Sequence, residues 1–227
     1  MLVHPLPPTR YSTTTGSGWG TNRMWQLYEW VRNSDAVRQR VAELTETSEF
    51  KTVRQNAELL LKVASGEAEP LNANPSFEKG EDWATGWNKW IKYGEGTNHR
   101  TTEIARTGEA SLCFDGMKRG GPHQTLQLEP GEYAITAFVY VPEGQETMGT
   151  VAVQATPRDE GESNLPGGIS SQLVPARGRW QPIAAVGKIP ARIGGKEVAS
   201  VLFLPIVDGW DPDGKVYIDD LSIVRLD

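Results

Sequence analysis

The sequence predicts a mainly β protein: an antiparallel β-sandwich of jelly-roll type, preceded by a small α-helical segment. Two observations carry the β part. Apolar and alternate residues swap places along Tyr133–Val141, Val151–Gln154 and Val216–Val224, the period of two that a half-buried strand requires. Gly/Pro turns punctuate these runs, among them Glu129-Pro130-Gly131, Pro142-Glu143-Gly144, Pro166-Gly167-Gly168, Gly194-Gly195 and Pro212-Asp213-Gly214. The third observation is a change of period. Helical spacing is confined to the stretch before Glu69-Pro70, and strands without intervening helices indicate a sandwich or jelly roll.

Taken in order, residues 1–20 are rich in Pro, Thr, Gly and Ser and read as an extended, linker-like segment. The glycines there fit neither a P-loop nor a dinucleotide fingerprint. Residues 21–69 read as about three helices. Met24, Leu27, Tyr28 and Val31 form the first stripe, with Thr21 as cap; Val37, Val41 and Leu44 form the second, with Ser34 as N-cap. Phe50, Val53, Ala57, Leu60, Leu61 and Ala64 form the clearest, entered at Thr47 or Ser48 and stopped near Gly66. Trp25 and Trp30 widen the apolar surface of the first helix. So short a helical segment cannot build a strong core alone, so it is expected to pack on the sandwich, on another copy, or on an upstream domain. Residues 70–227 form the sandwich, and the run Val198–Val207, apolar on both faces, is expected to be a central strand.

Composition narrows the function. The net charge is −6 and no Lys/Arg run stands out, which argues against nucleic acid as partner. The single Cys113 excludes a disulfide scaffold. No apolar run is long enough to span a bilayer, so membrane insertion is not expected. Met1–Pro8 lacks a basic stretch followed by an apolar one, so no signal peptide is read there. The expected location is extracellular, periplasmic or at the cell surface, as part of a longer exported chain.

Five short motifs follow one another in the third stretch. They are Asn74-Pro75-Ser76-Phe77-Glu78 with Trp83 and Trp87, then Thr107-Gly108-Glu109-Ala110-Ser111-Leu112, then Leu128-Glu129-Pro130-Gly131-Glu132-Tyr133, then Gly178-Arg179-Trp180-Gln181-Pro182, and last Val216-Tyr217-Ile218-Asp219-Asp220-Leu221-Ser222. The series resembles carbohydrate-binding modules of families four, nine, sixteen and twenty-two, with their galactose-binding-like jelly roll. The resemblance implies a glycan partner and a place in the C-terminal part of a larger polysaccharide-active protein. It is more specific for fold than for ligand, because one fold hosts many functions.

Asp219 raises a question of charge. If Tyr217, Leu221 and Ile223 face the core, strict alternation puts Asp219 there too, where a carboxylate needs a cation or hydrogen bonds. Calcium, a hard ion that takes carboxylate and carbonyl oxygens, would serve. Modules of the resembled families hold a structural Ca²⁺ between first and last strands; the matching residues are Glu78 and Asp219, with Asp220 as substitute. The alternative is that Asp219 accepts backbone N–H groups or caps a turn. The acidic loop Asp208–Gly214 lacks the EF-hand register and reads as a turn.

A sugar ring is bound by stacking its C–H face on a flat aromatic while amides or carboxylates bond its hydroxyls. Trp83, Trp90 and Trp210 are the tryptophan candidates. Trp87 is assigned to the core, and the resemblance puts Trp180 there as well. Thr136, Phe138 and Tyr140 share one strand face, to which Gln154 and Gln172 could add amides. Catalysis is not expected. His4, His99 and His123 have no metal-ligand spacing, no HExxH or GxSxG occurs, and His99-Arg100 with Glu95 and Glu103 reads as a surface loop. The leading reading is a non-catalytic module for a polysaccharide or oligosaccharide. The alternative is a protein-protein interaction domain, or the accessory domain of a glycoside hydrolase or lyase whose active site lies elsewhere. An upstream catalytic domain, or a second copy held through the helices, would be a further partner.

Overall fold

The computed structural model describes residues 27–66 and 68–226. The linker-like segment, Thr21, Met24 and Trp25 lie outside the described residues. Three helices come first: α1 (Tyr28–Asn33), α2 (Asp35–Thr47) and α3 (Lys51–Ala64). Ser34 separates the first two in extended conformation. Its hydroxyl accepts from the Val37 N–H at 3.5 Å, so it caps α2 as its residue type suggests. Gly66 follows α3 with φ +76°, a conformation that suits glycine after a helix end.

The strands are β1 (Ile91–Tyr93), β2 (Thr97–Thr101), β3 (Ser111–Asp115), β4 (Arg119–Gly120), β5 (Gln124–Leu126), β6 (Gly131–Tyr140), β7 (Thr150–Arg158), β8 (Ile169–Leu173), β9 (Gln181–Ile189), β10 (Arg192–Ile193), β11 (Lys196–Glu197), β12 (Ser200–Asp208) and β13 (Lys215–Arg225). Among the described residues, one sheet runs β1-β4-β12-β7-β8, with β5 also on β12. The other runs β2-β3-β13-β6-β9, and β10 pairs β11 in a small ribbon. All these strand pairs are antiparallel. The doubly apolar run is the predicted central strand, as β12.

The two sheets enclose the main core. Phe77, Trp87, Phe114, Ile135, Phe203 and Trp210 are among its large side chains. Trp87 stacks between Phe77 and Phe203, with ring centroids 5.5 and 5.8 Å away. Its indole N–H donates to the Asn74 carbonyl at 3.1 Å, so the first motif and its tryptophan fasten each other.

The helices pack on the sandwich. Val31, Val41, Ala57, Leu59 and Leu60 share a second apolar cluster with Ala134 of β6, Ala184 of β9 and Val224 of β13. Those three sit on the outer face of the five-stranded sheet. The register pairs Ala134 with Val224 and Thr136 with Ala184, so one half of that face lies under the helices. Trp30 and Phe50, on the far side of the helices, are exposed. No helix among the described residues is long and apolar enough to cross a membrane.

Candidate functional site

The register of the five-stranded sheet lines up one transverse row on its outer face. Tyr140 of β6 pairs with Tyr217 of β13, Tyr217 with Cys113 of β3, and Cys113 with His99 of β2. On the other side Gln181 pairs with Val139, which brings Trp180 beside Tyr140. The ring centroids of Tyr140 and Trp180 are 5.5 Å apart, and those of Tyr140 and Tyr217 are 6.2 Å apart. Three aromatic side chains from neighbouring strands therefore stand side by side. Tyr140 and Trp180 are half-buried. Tyr217 is 3% exposed, and its hydroxyl donates to the Glu103 carboxylate at 3.0 Å. Burial and that carboxylate hold its phenol well above the usual range, so it stays a donor. Burial likewise raises the Cys113 thiol to about 12, which leaves it un-ionised and unreactive.

Two strands lead from this row into a depression of about 460 Å³. Pro142 lies two residues beyond Tyr140, and Lys215 two residues before Tyr217; both line it, with Gln145, Glu146, Thr147 and Asp213. Lys215 is 3.4 Å from Asp115, and its backbone N–H donates to Gln145 Oε1 at 2.6 Å. Two residues along the strands from the rings thus lies a hollow whose walls carry amide, hydroxyl, carboxylate and ammonium groups. That combination recognises the two faces of a sugar: stacking for its C–H surface, hydrogen bonds for its hydroxyls.

Of the aromatic residues read from the sequence as sugar contacts, only Tyr140 falls here. Phe138, on the same strand face, is 4% exposed. Tyr28 of α1 lies over it at 5.1 Å, and the Arg106 guanidinium lies 3.4 Å from its ring centroid. It cannot meet a ligand because the helical segment and Arg106 already occupy its surface. Trp210 is fully buried and donates its indole N–H to the Thr150 carbonyl at 3.0 Å; its loop turns the ring inward, to pack rather than bind. Trp83 is half-buried, spends its N–H on the Trp87 carbonyl at 2.6 Å, and has the Lys89 ammonium over its ring. Trp180, expected in the core, is instead half-exposed beside Tyr140, because the chain enters β9 only at the next residue.

Gln154 and Gln172 do not join Phe138 and Tyr140. They lie in the other sheet, on β7 and β8, where Gln154 pairs with Ser170 and Ala152 with Gln172. A smaller depression of about 160 Å³ opens beside Gln154, Ser170, Gly167 and Gly168. Trp90 belongs to this side. It packs, half-buried, against Ala152, Leu204 and Ile206. This surface offers amides with one indole engaged by aliphatic neighbours.

The carboxylates expected to hold calcium are bonded to N–H donors. Asp219 Oδ2 accepts from the Arg106 and Thr107 amides at 2.8 and 3.2 Å, and its Oδ1 from the Asp220 amide at 2.7 Å. Asp220 accepts from the Arg106 guanidinium at 2.5 Å and the Thr107 hydroxyl at 2.6 Å. Glu78 accepts from the Glu109 and Ala110 amides at 3.2 Å. Among the described residues no three metal-ligating side chains come together. As arranged, these oxygens face the positive ends of N–H dipoles, which is a donor environment for an anion and not for a cation.

Asp219 also lies on the other face from the one alternation predicts. Val216 and Ile218 point into the core before it, Leu221 and Ile223 after it. The reversal comes from an irregularity between Asp219 and Ser222, where Asp220 takes φ +49°. Asn72 stitches this interruption: its carboxamide bonds the Leu221 carbonyl and the Ile223 N–H, both at 2.9 Å. Tyr217, predicted to face the core, is turned to the outer face by the same shift. Arg100, read as a surface loop residue, fastens the first motif by donating to the Phe77 and Glu78 carbonyls.

Comparison with known proteins supports the fold. A cyclase from Fischerella sp. TAU aligns with 70% of this chain and 98% of its own, at 14% identity and a TM-score of 0.51. The enzymatically active domain of tailspike protein 4 from bacteriophage CBA120 aligns with 69% of this chain and 21% of its own, at 15% identity and a TM-score of 0.51. The fold is the expected jelly roll. The CBM22-1 xylan-binding domain of Paenibacillus barcinonensis Xyn10C aligns with 66% of this chain and 90% of its own, at 17% identity and a TM-score of 0.48. No protein-family profile and no curated protein matches the sequence.

Proposed function

We propose that the chain is a non-catalytic carbohydrate-binding module whose sugar site is the Tyr140–Trp180 corner and the depression beside it. The observation that carries this is the adjacent, partly exposed aromatic pair, with a hollow walled by polar side chains beginning two residues further along the strands. The sandwich fold is one that carbohydrate-binding modules use, CBM22-1 being an example among its structural neighbours. Glu103, Asp115, Glu146 and Asp213 outnumber Lys215 and Arg177 around the corner, which favours a neutral sugar over an anionic one. On this reading the chain serves a polysaccharide-active protein outside the cell, as one part of a longer exported polypeptide.

A glycan array followed by calorimetry tests the site. Trp180→Ala and Tyr140→Ala each weaken binding of the array-selected glycan by about 2 kcal/mol, roughly thirtyfold, as truncation of a central aromatic does. Trp90→Ala, on the opposite sheet, leaves it unchanged. The reverse pattern would move the site to the Gln154–Gln172 face.

Calcium at Glu78, Asp219 and Asp220 is a separate proposal, and it requires residues 106–110 to release their N–H donors. A melting temperature that rises with Ca²⁺ and falls with EDTA would support it. Indifference to both assigns these carboxylates to holding the loop.

A further inference from the structure

Resting on that reading, we infer that the site receives the end of a glycan chain, or a short branch, and not the interior of a long one. Two walls, each built from residues of this chain, close the sheet face around the aromatic corner.

The first wall is the helical segment. Tyr28 lies over Phe138, one position along β6 face from Tyr140, and the α2–α3 side chains cover Ala134, Ala184 and Val224 beyond it. A chain laid along the strands past Tyr140 runs into Tyr28 and Phe138.

The second wall is the segment 102–107. It lies across the outer side of β3 and β13. Ser111 Oγ donates to the Ile104 carbonyl at 2.5 Å, the Arg106 and Thr107 amides cap Asp219, and Glu103 takes the Tyr217 hydroxyl. The consequence is visible in exposure. Ser111, Cys113 and Asp219 are fully buried although they point away from the core. The row Trp180–Tyr140–Tyr217–Cys113–His99 is therefore open at its first two members and shut at the third. A chain laid across the strands from the β9 edge stops at Glu103.

Two sides remain open: β9 is an edge strand with Trp180 half-exposed at its start, and the depression lies at Pro142 and Lys215. One lies across the strands from Tyr140 and the other along them. They meet at a right angle, so an extended chain that enters by either side meets a wall opposite. Only a terminal unit, or a branch that turns the corner, fills both the ring pair and the hollow.

The test uses cello-, xylo-, manno- and β-1,4-galacto-oligosaccharides, each from monosaccharide to hexasaccharide, titrated into the full chain by calorimetry. The polysaccharide of the binding series is then assayed before and after partial endo-cleavage. The expected result is affinity that levels off by the trisaccharide, with less than about twofold difference from there to the hexasaccharide. Bound protein per gram of polymer should rise in proportion to the number of chain ends. Affinity still climbing at the hexasaccharide, or capacity indifferent to chain ends, with binding still lost in Trp180→Ala, would overturn the inference and leave the sugar site standing. Failure of every series and polymer to bind would overturn both.

Discussion

Asp219 is fully buried on the outer side of its sheet, under the loop that supplies two of its three N–H donors. Burial, and then the neighbouring Asp220, push its carboxyl up to about 7, against the pull of those donors. An aspartate in the unfolded chain titrates at about 3.9. Between these values the folded protein holds a proton that the unfolded chain has lost. Stability from this residue therefore falls as pH rises from about 4 through about 7. Urea midpoints measured across that window should decline in the parent and decline less in Asp219→Asn. Equal slopes in the two proteins would place the titration on another group. The sequence marked this residue as one needing compensation, and the need is met by N–H groups of residues distant in sequence. Nothing in the local motif indicates which loop supplies them, because the partners lie 112 and 113 positions away.

At the scale of elements, Arg106 joins three pieces. Its guanidinium sits 3.4 Å from the Phe138 ring centroid and 5.4 Å from that of Tyr28, and it pairs with Asp220. It thereby fastens β6 and β13 to α1. Its side chain is 7% exposed, so removing it leaves a largely buried carboxylate without its cation. Arg106→Ala should lower stability by about 3 to 5 kcal/mol in urea unfolding. A loss under about 1 kcal/mol would mean that the helices and β13 hold together without it. The strands themselves were legible: β6, β7 and β13 fall where alternation and Gly/Pro turns put them, and β12 where the doubly apolar run does. So were α2 and its Ser34 cap. The interruption at Asp220 was not, because an aspartate tolerates positive φ without announcing it as a glycine would. One such residue reverses every side chain around it, which moved Tyr217 out of the core and into the aromatic row.

At the scale of the whole molecule, function depends on which sheet faces are covered. A period of two assigns side chains to faces, but it does not say which face meets a helix. Phe138 and Tyr140 share one face and differ because Tyr28 of the helical segment and Arg106 cover the first and not the second. Trp180 and Tyr140 come together through strand pairing across 40 residues, a relation no local pattern carries. The eight tryptophans supply a direct reading of the result, since each indole N–H gives its own NMR resonance. On saturation with the array-selected glycan, the Trp180 indole signal should shift most, while those of Trp87, Trp90 and Trp210 stay in place. A shift at Trp90 with Trp180 unmoved would contradict the account and put the sugar on the opposite sheet.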